Sequence, residues 1–135
     1  MRIFKFGGAS VKDAAGIKNV VEVLRKVGYE NTLVVISAMG KSTNAMENVV
    51  NTYFQDKTET SSAIHEVLKY HNDILMDLFE NDKHPIFKKI KSLFDEVQGF
   101  LVWNKSPKYN FVYDQVIGYG EIVSTTIVSA YFNEI

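Results

Sequence analysis

The sequence predicts an α/β domain, a βαβ start followed by a mostly helical region, with its parallel sheet begun and not completed. Three observations carry this reading. Two short runs rich in β-branched and aromatic residues, Ile3–Phe6 and Thr32–Ile36, flank a stretch with helical spacing. From Met46 onward the apolar residues keep a helical period. The chain then reaches Asn133-Glu134-Ile135 straight after a helix, where a doubly wound domain would return to its sheet. Two parallel strands bury little, so these residues are expected to be the front part of a larger domain.

The elements follow in order. Ile3–Phe6 is expected to be a buried strand, ended by Gly7-Gly8. Asp13 is placed to cap a helix whose apolar face is Ile17, Val20, Val21, Leu24 and Val27, with Gly28 at its end. Thr32–Ile36 is a second buried strand, parallel to the first because a helix crosses between them. Met46, Val49, Val50 and Tyr53 predict the next helix, and Ile64, Leu68, Leu75, Leu78 and Phe79 another. A third, after Pro85, carries Ile86, Ile90, Leu93, Phe94, Val97 and Leu101. Gln55–Ser61 and Asn81–His84 are the breaks, and Pro107 opens a last stretch that Gly118 and Gly120 bend or split. This divides the chain into a βαβ unit with two loops (residues 1–44), a helical insertion (45–106) and terminal helices (107–135).

Composition removes several function classes. The 135 residues, 46% hydrophobic, suffice for one domain with a core. A net charge of −1 argues against nucleic-acid binding by phosphate neutralisation, and no polybasic run suits a membrane surface. The absence of Cys excludes disulfides, thiolate metal sites and Cys nucleophiles. No apolar run approaches the ~20 residues of a membrane helix, and no secretory signal is read at the start, so a cytoplasmic location is expected. His65 and His71 lack ligand spacing and His84 precedes Pro85; all three are expected to be surface or partly buried residues without metal. Phe79, Phe87, Phe94, Phe100 and Trp103 read as core or helix-pair packing.

Three places can carry chemistry. Lys5-Phe6-Gly7-Gly8-Ala9-Ser10 closes the first strand. A glycine pair there lets backbone N–H groups approach a phosphate, Lys5 brings countercharge and Ser10 a hydroxyl. An ordinary turn beside a solvated lysine is the competing reading. Ser37-Ala38-Met39-Gly40-Lys41-Ser42-Thr43-Asn44 closes the second strand and feeds a helix N-terminus. Both loops fall at the carboxyl end of the sheet, where open α/β folds bind ligands. Gly40-Lys41-Ser42 is not a Walker A tail, because Val35 stands where that pattern needs Gly. The third place, Gly118-Tyr119-Gly120-Glu121, sets a carboxylate at the head of an apolar helix, a favourable first-turn charge or an ammonium ligand.

Together these segments resemble aspartokinases, members of the amino acid kinase family. Lys5–Val11 is similar to the KFGG[TA]SV signature, Val35–Asn44 to V-[VI]-S-A-x-x-x-x-T-N, and Gly120–Ser124 to G-E-x-x-S, in the same order along the chain. The resemblance implies an amino acid kinase-like (carbamate kinase-like) open sandwich. It also implies transfer of the γ-phosphoryl group of ATP, with Mg²⁺, to the β-carboxylate of L-aspartate. On it, Lys5 would stabilise the transferring phosphoryl group, and Gly7, Gly8 and Ser10 would cradle phosphate oxygens. Ser37 would lie at the second phosphate or substrate loop. Thr43 and Glu121 would hold aspartate, Glu121 facing its ammonium, and no residue here would ligate the metal directly. Ala9 stands where Thr is commoner. The resemblance places further substrate-gripping residues, the nucleotide-binding strands and two ACT domains downstream. The isolated 135 residues are therefore expected to be inactive, within a parent that is a homo-oligomer.

Two rivals stay open at this point. One is another amino acid kinase, for example one acting on glutamate or acetylglutamate. The other is a non-catalytic helical module that binds a partner, self-associating through exposed sheet edges or helices.

Overall fold

Strand β1 (Arg2–Phe6) pairs in parallel with β2 (Thr32–Ile36), Phe4 opposite Val34 and Phe6 opposite Ile36. They form the whole of a two-stranded sheet in the computed structural model, which describes residues 1–135. Helix α1 (Ala14–Val27) makes the crossover. Its start is fixed by Asp13, whose carboxylate accepts from the Gly16 amide at 2.8 Å. Its end is fixed by Gly28 at φ +85° and by Arg2, whose guanidinium donates to the Val27 and Gly28 carbonyls at 3.0 and 2.9 Å. Arg2 thus ties the start of β1 to the end of α1.

The remaining chain is helical: α2 (Ser42–Gln55), a 3₁₀ turn at Lys57–Glu59, α3 (Thr60–Leu78), α4 (Pro85–Trp103), α5 (Tyr109–Ile117) and α6 (Tyr119–Glu134). Helix α2 packs on α3 and α5, and α4 packs on α3 and α6. One core runs without a break from Val11 and Ile17 through Met46, Leu75 and Ile90 to Ile127. At the start of α4, His84 Nδ1 accepts from the Ile86 amide at 3.1 Å while Nε2 meets Glu134 at 3.1 Å. That histidine caps one helix and ties it to the end of another. No helix is long and apolar enough to cross a membrane. The βαβ start and the mostly helical region expected from the sequence are both present.

Several expectations need correction. The strands are not buried on both faces. Phe4, Phe6, Val34 and Ile36 lie on the core side, whereas Ile3, Leu33 and Val35 are 65%, 50% and 39% exposed. Strand side chains alternate, and nothing covers the second face of this sheet. Val27 is exposed, because the last turn of α1 runs past the core. Phe79 is buried but lies just beyond α3, in extended backbone. Trp103 is 80% exposed at the end of α4, while Phe100 meets Phe111 edge to face and Phe94 is buried. His71 is fully buried in the middle of α3, not at the surface. Gly118 does split the last stretch, into α5 and α6.

Candidate functional site

The two loops at the carboxyl end of the sheet are locked together by backbone. The Ser37 amide donates to the Phe6 carbonyl and the Gly40 amide to the Gly8 carbonyl, both at 3.0 Å. Gly8 is required by this closeness: a Cβ there would stand 3.0 Å from the carbonyl oxygens of Ala38 and Gly40. Gly40 is required twice over. Its φ is +54°, and a Cβ would collide with the Tyr70 hydroxyl. By contrast, a Cβ at Gly7 would meet nothing within 4 Å.

The first loop turns through Ser10 N–H to Gly7 carbonyl and Val11 N–H to Gly8 carbonyl bonds, at 3.0 and 3.2 Å. The amides of Gly7, Gly8 and Ala9 give no hydrogen bond to the rest of the chain. Successive backbone donors without partners at the end of a strand are the kind of group an anion can use. Lys5, exposed on the uncovered sheet face, has neither an ion pair nor a hydrogen bond.

The third segment joins the second. Ser124 Oγ, fully buried on α6, donates to the Ser37 carbonyl at 2.6 Å. Gly120 lets α6 approach, since its Cβ would fall 3.2 Å from that of Ala38. This sets Glu121, exposed in the first turn of α6, beside the loops, where the helix dipole favours its negative charge.

The structure therefore brings together the backbones of Gly7, Gly8, Ser10 and Ser37, with Glu121 on the adjoining helix. It does not link their side chains. Lys5, Ser10, Thr43 and Glu121 form no side-chain hydrogen bond with one another, and Thr43 stands exposed in the first turn of α2. None of the seven residues singled out from the sequence lines the main cleft. That cleft, about 750 Å³, lies between the loops and α3 and is lined by Lys12, Asp13, Lys41, Asn48, Glu66 and Tyr70, among others. No cluster of three His, Asp or Glu side chains offers a metal cage.

Sequence reasoning missed the residues of α3 that brace the loops. The Tyr70 hydroxyl donates to the Lys12 carbonyl. Burial and the nearby Asp13 carboxylate push the Tyr70 pKa up, keeping the phenol a donor. His71 meets Ser42 Oγ at 3.2 Å. These partners are 58 and 29 residues apart, so no local pattern could pair them. Ser124 was the one member with a signal, as the closing serine of the third segment.

A family model, described as amino acid kinase family, matches residues 1–135. Among relatives, the chloroplastic bifunctional aspartokinase/homoserine dehydrogenase 1 of Arabidopsis thaliana is 28% identical over 95% of this chain and 14% of its own length. The chloroplastic aspartokinase 1 of Arabidopsis thaliana is 28% identical over 98% of this chain and 23% of its own. The bifunctional aspartokinase/homoserine dehydrogenase 2 of Escherichia coli (strain K12) is 23% identical over 98% of this chain and 16% of its own. The chain thus spans a quarter or less of the relatives it matches.

Proposed function

We propose, starting from the fact that the chain belongs to the amino acid kinase family, that it forms the phosphate-loop and amino-acid side of an aspartokinase active site. The observation that carries the reading is the row of unpaired amides at Gly7, Gly8 and Ala9, held against the Gly40 loop and flanked by an unpaired Lys5. Such a cradle fits the polyphosphate of ATP. Mg²⁺, which this reading implies, would be carried on the phosphates of ATP. ATP, when bound, supplies the phosphoryl group.

Each residue then has a task that positioning and charge can perform. The amides of Gly7, Gly8 and Ala9, with the Ser10 hydroxyl, orient phosphate oxygens. The Lys5 ammonium offsets charge that builds on the transferring group. Ser37 shapes the second loop through its backbone bonds to β1 and α6. Glu121 faces the substrate ammonium, and Thr43 gives a hydroxyl to a substrate carboxylate. L-Aspartate is the proposed acceptor, its β-carboxylate attacking phosphorus directly, so no covalent enzyme intermediate is needed. The downstream nucleotide-binding half implied by the resemblance leads us to expect no turnover from residues 1–135 alone. A cytoplasmic location and a homo-oligomeric parent go with this reading.

The test has two arms. A protein in which this segment is joined to a nucleotide-binding half should release ADP with L-aspartate, and not with glutamate or acetylglutamate; Lys5→Ala should lower kcat at least about 100-fold, as for loss of a group stabilising transition-state charge. The 135-residue polypeptide should release none. A preference for glutamate or acetylglutamate would replace the acceptor, and turnover by the 135 residues would overturn the expectation for them. One observation favours the second reading, a self-associating helical module: the exposed Ile3, Leu33 and Val35 on the open sheet face. Sedimentation that depends on concentration, with no binding of ADP, would support it.

A further inference from the structure

His71 sits where burial and hydrogen bonding pull in opposite directions. Its Nδ1 is 2.8 Å from the Val67 carbonyl, which can only accept, so Nδ1 carries a hydrogen. Its Nε2 is 3.2 Å from Ser42 Oγ, and that oxygen is 2.6 Å from the Met39 carbonyl. Serine has one proton to give. With a neutral ring, the Ser42 proton serves either Nε2 or Met39, and one contact is left without a hydrogen. With a doubly protonated ring, Val67, Ser42 and Met39 are all satisfied in sequence. Burial opposes the charge that this requires and pulls the His71 pKa below its ordinary value.

The surroundings add no charge of their own. Ser42 faces the ring from α2, Tyr70 edge-on at 5.2 Å from α3, and Phe94 at 5.5 Å from α4. Neither α1 nor the 3₁₀ turn sends it a hydrogen bond, and no ion pair involves it. The Tyr70 ring stands edge-on to the imidazole, and the ionisation of its phenol is pushed upward.

We propose that His71 is a positioning residue: through Ser42 it holds the loop from Met39 to Lys41 in place, and through the Gly40–Gly8 bond it thereby holds the free amides of the first loop. The kinetic consequence rests on the phosphate-binding reading of those amides; the mechanical coupling does not. Ser42 is the first residue of α2, and its hydroxyl ties the start of that helix to the Met39 carbonyl. The next residue back on α3, Tyr70, holds the other loop at Lys12. The helical region therefore braces both loops from one turn of one helix.

The coupling is read from the amide spectrum of the ¹⁵N-labelled 135-residue chain during a pH titration. The Gly8, Gly40 and Ser42 amides should shift with one midpoint, the same as that of the His71 ring. His71→Gln, which can still bond Ser42 but takes up no proton, should keep the amide positions near their neutral-form values and abolish the step. Ser42→Ala should leave His71 titrating while Gly8 and Gly40 no longer follow. Separately, in the segment joined to a nucleotide-binding half, His71→Phe should weaken ADP binding, measured by calorimetry with Mg²⁺, by about 2- to 10-fold, the worth of one neutral hydrogen bond, and His71→Gln should restore most of it. Loop amides that ignore the His71 titration in a folded wild-type chain would overturn the proposal. A protein joined to a nucleotide-binding half that shows the coupling but binds no ADP would overturn the phosphate reading and leave the brace standing.

Discussion

The sheet and the helical body both carry large apolar side chains, yet they use them differently. The helical body encloses its large side chains: Leu75, Ile90 and Ile127 are wholly buried and touch one another's neighbours in a single core. The sheet buries one face and leaves Ile3, Leu33 and Val35 in water. Its loops carry glycines under geometric constraint and amides without partners. Most of the buried core lies in residues 45–135, with Val11, Ile17 and Met39 joining it from the N-terminal region, and most of the proposed binding residues lie in residues 5–43. The second region can keep unpaired donors because the first holds it in shape.

The largest expected effect is in the core. Leu75→Ala should lower unfolding free energy by about 2–5 kcal/mol in a urea titration, the cost of a buried cavity, while Ile3→Thr on the open sheet face should stay within about 0.5 kcal/mol. Equal losses would erase the contrast between the regions. The glycines sharpen it next. Gly40→Ala places a side chain at positive φ against Tyr70 and should cost about 1–3 kcal/mol. Gly8→Ala should also destabilise, whereas Gly7→Ala, with open space around it, should be near neutral for folding. If Gly7→Ala still abolished phosphate binding, loop function and loop stability would be separated at one residue.

Acid should act through the junction of the two regions. His71 is neutral more readily in the folded chain than in the unfolded one, whose value is near 6.5. Below that pH the unfolded chain binds the extra proton, so this part of the stability is complete above about pH 6.5 and is lost as pH falls toward the folded-state value. His71→Phe should remove this acid-side slope from thermal melts, whatever it does to stability at neutral pH. The smallest effect belongs to the solvated helix face. Lys69→Ala breaks a 3.2 Å pair with Asp73 in which both side chains are mostly exposed, and should cost no more than about 0.5 kcal/mol, less in high salt.

The legible part of this protein was the part written in short-range patterns. Asp13, Gly28, Pro85 and Gly118 mark element ends because capping and turn chemistry act within a few residues. The apolar spacing of α1 and α4 marked their buried faces, and only the last turns, at Val27 and Trp103, run past the core. The glycine pair and the serine-rich loop were visible as phosphate-loop candidates for the same reason. Burial of the strands was misjudged because an apolar run says that a face can be covered, not that it is. Tertiary structure alone decided that Gly8 and Gly40 must be glycine, that Ser124 reaches Ser37, and that Tyr70 and His71 brace the loops. Those contacts join residues 29 to 87 positions apart, and a long-range hydrogen bond is specified by how helices pack, which no local run of residues records.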